Sequence, residues 1–163
     1  MPTIASADDR QRRRPRSRRV DMSYRWLEHT SELELQIEAP SEREVFALAV
    51  AAIGELVASE SGQEGSAQAG HDGDGELARE VTASAADRAA LLAAFLEELV
   101  YLIETDDLVP QRIEQLELAE GRVTAIVHGY RGRPRHLIKG VTYHELAFAP
   151  HPDGFAATVV LDV

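Results

Sequence analysis

The sequence predicts an α+β fold, with two helices packed on a largely antiparallel or mixed β-sheet. Three observations carry this. Two segments, around 42–57 and 86–104, place apolar residues at helical spacing. Six or seven shorter segments alternate apolar and polar residues, the period of a half-buried strand. Most of these follow one another directly, and the last four are separated only by turn residues.

Taken in order, Tyr24 to Leu27 is a short strand, and Leu33, Leu35 and Ile37 alternate with Glu34, Gln36 and Glu38 in the next. Pro40 ends it, and Ser41 with Glu44 forms a capping-box pattern, in which each side chain satisfies an orphan amide at the helix start. The first helix carries Val45, Phe46, Leu48, Ala49, Ala52, Ile53, Leu56 and Val57 as a broad apolar stripe. Residues 59–76 hold five glycines and no large apolar side chain, so they offer nothing to offset their ordering entropy and read as a flexible surface loop. Asp72, Asp74 and Glu76 look like the start of a calcium loop, but Ala83 falls where the bidentate glutamate belongs. Leu77 to Ala83 is a third strand. The second helix, from about Ala86 to Glu104, buries Leu91, Leu92, Phe95, Leu96, Leu99, Val100 and Ile103. After a turn at Asp106 and Asp107 come four strands, at about Arg112–Ala119, Arg122–Tyr130, Leu137–Ala149 and Phe155–Asp162.

A chain of 163 residues fits one domain, here 22–163 behind an arm at 1–21. The net charge of −11 is unevenly spread: seven arginines between Arg10 and Arg19 oppose Asp8 and Asp9, giving +5, and the remainder carries −16. The arm has no apolar periodicity and reads as a disordered basic extension, a nucleic-acid tail or a start-site artefact. The acidic body is repelled by bare nucleic acid and favours cations and basic protein partners. No cysteine is present, which excludes disulfides, thiolate nucleophiles and cysteine-ligated zinc and fits a reducing cytoplasm. No apolar run approaches the roughly 18 residues of a membrane span, and no secretory core follows the arginines.

Phosphate loops, dinucleotide fingerprints, nucleophile elbows and H-E-x-x-H pairs are all absent. What remains is three local signals. Glu28-His29-Thr30-Ser31-Glu32 sits at the junction of the first two strands. Lys139-Gly140-Val141-Thr142-Tyr143-His144 contains Lys139, the one lysine among 17 basic residues. The last strand runs up to Leu161-Asp162-Val163, which puts the Asp162 carboxylate beside that of the final residue. Carboxylates brought together repel unless a hard cation or a basic group joins them. Arg131, Arg133, Arg135 and Lys139 form the one local basic cluster outside the arm, suited to an acidic patch, an RNA end or a nucleotide phosphate.

Together these runs resemble the archease family, over about residues 22–163. That family carries an E-H-T-A-D motif before an alternating strand and helix, a K-A-[VI]-T-Y-H strand, and a terminal Asp-Ile or Asp-Val. The resemblance implies a non-catalytic partner of a GTP-dependent RNA ligase. Such a partner promotes guanylylation and repeated turnover in tRNA splicing or RNA repair. It also implies a divalent ion, calcium by expectation, held by Glu32, Asp162 and Val163, with Glu32, Lys139 and Asp162 needed for ligase activation. Glu28, His29, Thr142 and His144 are supporting candidates. The sequence departs from the family at Glu32, where aspartate is usual, at Ser31 and at Gly140. Glutamate keeps an oxygen donor but moves it outward by a methylene, which calcium tolerates better than magnesium. Two other readings stay open: a small metal-dependent hydrolase using Glu32, Asp162 and His29 or His144, and a general chaperone or nucleic-acid-binding accessory protein contacting its targets through the arm.

Overall fold

The computed structural model describes residues 22–58, 76–134 and 137–163. The expected basic arm, the glycine-rich loop with Asp72 and Asp74, and Arg135 lie outside these residues. Glu76, the third acid of the supposed calcium loop, accepts a hydrogen bond from Arg112 at 2.6 Å and lies 2.8 Å from the His128 ring.

The elements follow the order β1 (Ser23–His29), β2 (Glu32–Ala39), α1 (Glu42–Ala58), β3 (Leu77–Ser84), α2 (Arg88–Asp106), β4 (Leu108–Ala119), β5 (Arg122–Arg131), β6 (Gly140–His151) and β7 (Gly154–Asp162). The α+β class holds, with one correction: the strands form two sheets, not one. A four-stranded sheet has the order β1-β2-β7-β6 and a three-stranded sheet the order β3-β5-β4. Every pairing between them is antiparallel. Both helices contact both sheets. This explains the width of their apolar faces: Val45, Phe46, Ala49, Val50, Ala52, Ile53, Gly54 and Val57 are all buried on α1. At 100° per residue they cover an arc of about 200°, wider than one packing surface requires. Phe46 stands edge-on to Phe95 of α2 at 5.4 Å between ring centroids, and Phe148 bridges Phe46 to Phe155.

Local boundaries differ from the sequence reading in instructive ways. Ser41 accepts from the Glu44 amide at 3.3 Å, as a capping box requires, but the Glu44 carboxylate takes the serine hydroxyl at 2.8 Å. The second helix begins at Arg88 because Asp87 caps it, accepting from the Ala90 amide at 2.8 Å. It ends at Asp107, in the left-handed conformation with φ 53°. β4 starts at Leu108, four residues early; its Pro110 is tolerated on an edge strand beside a register shift. β6 starts at Gly140 and not at Leu137, which is 60% exposed.

Candidate functional site

The site is built at one end of the four-stranded sheet. β1 and β2 are joined by the two residues Thr30 and Ser31, with Ser31 in the left-handed region at φ 63°. This tight turn sets His29 opposite Glu32. β7 then enters between β2 and β6 and places Asp162 opposite Glu32 on one side and Gly140 on the other. His29, Glu32, Asp162 and Gly140 therefore form one row across all four strands. Residues in one row share a face. That face is the one away from Leu33, Leu35 and Ile37, whose partners Leu161, Val159 and Ala157 belong to the helix-covered side.

The ladder geometry sharpens this. The Val163 amide donates to the Ser31 carbonyl at 3.2 Å, so the bonds flank Glu32 and Asp162 without joining them directly. Such a non-hydrogen-bonded pair brings its side chains closest. The Lys139 amide donates to the Asp162 carbonyl at 2.7 Å, which sets the backbone of Lys139 against that of Asp162. Glu32, Asp162 and Val163 are half-buried and Lys139 is exposed. Among the described residues, no side-chain hydrogen bond or ion pair engages Glu32, Asp162 or Lys139.

The supporting candidates separate. Glu28 pairs with Leu33 and so lies on the opposite face from the row. Thr142 pairs with Val160, one step along the row's own face, and its hydroxyl is buried without a partner. Between Thr142 and Ala147 the β6–β7 register slips, and Glu145 turns left-handed at φ 55°. His144 falls in this irregular stretch, exposed and 3.8 Å from Glu145. The basic cluster is divided too: Arg131 belongs to the other sheet, where its charge acts on Asp106. The Arg79 guanidinium, which donates to Asp106 at 2.6 Å, chiefly holds that carboxyl below its ordinary value, and the Arg131 charge adds to it.

One residue escaped the sequence reading. Glu34, two positions along β2 from Glu32 and on the same face, is 8% exposed. It accepts from Gln36 Nε2 at 2.6 Å and lies 3.4 Å from His29 Nε2. Alternation made it look as solvated as its neighbours, and nothing in a single sequence marks it otherwise.

Comparison with known proteins decides the family. The model of the archease protein family matches residues 24–163. The chain belongs to the archease family. A protein archease of Methanosarcina acetivorans is 32% identical over 149 residues, covering 86% of this chain and 95% of the relative. A protein archease of Methanosarcina barkeri is 30% identical over the same share. The fold is that of the solution structure of Methanobacterium thermoautotrophicum protein 1598, with a TM-score of 0.61 at 22% identity over 86% of this chain and 98% of that one. A Thermotoga maritima crystal structure described as an archease, possible chaperone, gives a TM-score of 0.53 at 18% identity over 84% and 94%.

Among the described residues, no three His, Asp or Glu side chains stand together as a metal cluster. The donor set implied by the archease resemblance needs only two side chains, Glu32 and Asp162, with main-chain oxygen from Val163. Those are oxygen donors alone, the chemistry of a hard cation.

Proposed function

We propose that this archease is a non-catalytic activator of a GTP-dependent RNA ligase, promoting guanylylation and repeated turnover in tRNA splicing or RNA repair. The observation that supports this reading most is the cross-strand pairing of Glu32 with Asp162, in a chain matched by the archease family model from residue 24 to residue 163. Among the described residues, no side chain engages either acid or Lys139, which leaves them open to a ligand or partner. Glu32, Asp162 and the Val163 main-chain oxygen would hold a divalent ion, with calcium the best match to flexible oxygen donors. Bound there, the ion supplies charge compensation between facing acids. The chain's own residues do the rest: the Thr30–Ser31 turn fixes Glu32, β7 carries Asp162 to it, and Lys139 offers a point cation at the rim. The acidic body meets a basic face of the ligase, an attraction that salt weakens.

A hydrolase would need an open metal position and a base aimed at the substrate. A general chaperone works through exposed apolar surface; the Thermotoga neighbour is described as a possible chaperone. Among the described residues the large exposed apolar side chains are Met22, Tyr101, Leu137 and Tyr143, spread over separate segments. The test is multiple-turnover RNA ligation with and without this protein. Stimulation is expected with the wild type and a loss with Lys139→Arg, whose planar fork replaces a compact ammonium, while the fold is retained. Equal ligase turnover with and without the protein would overturn the reading, as would GTP or cyclic-phosphate RNA consumption by the protein alone.

A further inference from the structure

We infer that Glu34 is a positioning residue, which fixes His29 at the edge of the Glu32–Asp162 row and gives that ring a defined hydrogen-bonding role in ligase activation. The inference rests on the proposed function and deepens it.

Glu34 is the one polar or charged residue buried as a whole among the described residues. A carboxylate taken out of water is costly unless its oxygens are satisfied. Here each oxygen has a partner, and the partners form a chain along the sheet face. Arg25 Nε donates to Gln36 Oε1 at 2.6 Å. Gln36 Nε2 donates to Glu34 Oε1 at 2.6 Å. Glu34 Oε2 faces His29 Nε2 at 3.4 Å. The glutamine is locked in its flip, because the arginine can only donate to its oxygen, which leaves its amide to donate onward.

The consequence falls on His29. Where Glu34 Oε2 accepts in this contact, His29 Nε2 carries the hydrogen. In the neutral ring this leaves Nδ1 as the acceptor. A carboxylate that fixes the tautomer of a histidine and leaves its other nitrogen for function is a recurring device at ligand sites. His29 is suited to it: its side chain is 55% exposed, while that of Glu34 is 10% exposed. It also stands opposite Glu32, in the row that holds Asp162. A purely structural role for Glu34 would not require the ring to be the exposed end of the chain.

The experiment combines a spectroscopic and a functional readout on the full chain. Ring nitrogen shifts of His29 are measured by NMR at about pH 8.5, above the ordinary imidazole range. The wild type should show the Nε2–H tautomer, and Glu34→Gln, whose amide can donate, should shift the population towards Nδ1–H. In ligase turnover, Glu34→Gln and His29→Ala should each lower stimulation, about tenfold by analogy with other orienting carboxylates. The double variant should be no worse than His29→Ala alone, since the glutamate acts through the ring. An unchanged tautomer in Glu34→Gln, or fully additive losses, would overturn the inference. Asp162→Asn serves as the reference: if it too leaves stimulation intact, the proposed function of the row has failed and not merely the role of Glu34.

Discussion

Asp162→Asn tests the acid pair in a way that does not need the ligase. Glu32 and Asp162 face each other as a non-hydrogen-bonded pair, flanked by the Val163-to-Ser31 bond. The Cβ atoms of such pairs lie about 4.5–5.5 Å apart, and like charges directly opposite each other are destabilising by roughly 0.2–1 kcal/mol. Coulomb's law at about 5 Å in a water-like dielectric gives the same size, about 0.8 kcal/mol. Neither acid has a compensating side-chain partner among the described residues. In a chelator, removal of the Asp162 charge should therefore stabilise the protein by up to about 1 kcal/mol, or about 2–4 °C in Tm for a chain of this size. Calcium should reverse the order. At a hundredfold excess over Kd a bound ion adds about 2.7 kcal/mol to the wild type, and Asp162→Asn should gain little. The assay is thermal unfolding of both proteins in chelator and in calcium. If the variant is less stable in chelator, the facing charges are not in contact. If both gain equally in calcium, the ion binds elsewhere.

Two further outcomes follow from the packing and the charges. A Cβ built on Gly54 would lie 1.8 Å from the Pro110 carbonyl oxygen, so Gly54→Ala must push α1 away from β4. Urea unfolding should show a loss of about 2–3 kcal/mol despite the better helix propensity of alanine; a variant as stable as the wild type would refute the close approach. Asp106 is held below its ordinary value chiefly by the hydrogen bond from Arg79. Its pairing therefore favours the folded state above the ordinary aspartate range and is lost as pH falls through the lowered value. Arg79→Gln should move the Asp106 titration upward in an NMR pH series, and an unmoved titration would show that the guanidinium is not the cause.

The helices and most strands were legible because their signal is local. Leu33, Leu35 and Ile37 alternate, and the stripes of α1 and α2 recur at helical spacing, whatever surrounds them. The division into two sheets was not legible. Alternation says which face of a strand is buried but not which strand lies beside it. β7 pairs with β2, more than a hundred residues away, and leaves β5 to pair with β3 and β4. The same limit governs the site. Glu32, Asp162 and Lys139 were found through motif resemblance, and Glu34 was missed because its burial depends on neighbours that no periodicity encodes. His144 belongs to the same motif as Lys139, but it lies further along β6, in the irregular stretch between Thr142 and Ala147, which no motif spacing shows.

The topology links completion of the fold to completion of the site. Glu32 lies on the second strand and Asp162 on the last, so the acid row cannot exist until β7 has entered between β2 and β6. Closing so long a loop costs entropy before any contact repays it. β7 is also one of the two interior strands of its sheet. Val159 and Leu161 are fully buried in the main core, and the strand hydrogen-bonds on both sides. Much of its length is thus fixed by stability, while the row at its end is left polar. The acids there gain nothing from the core that carries them and repel each other across the ladder. A fold that retains this arrangement at its most constrained strand holds the two carboxylates at a fixed spacing, with Lys139 against the same backbone. That fixed spacing, rather than any single residue type, is what a cation or a partner surface can recognise.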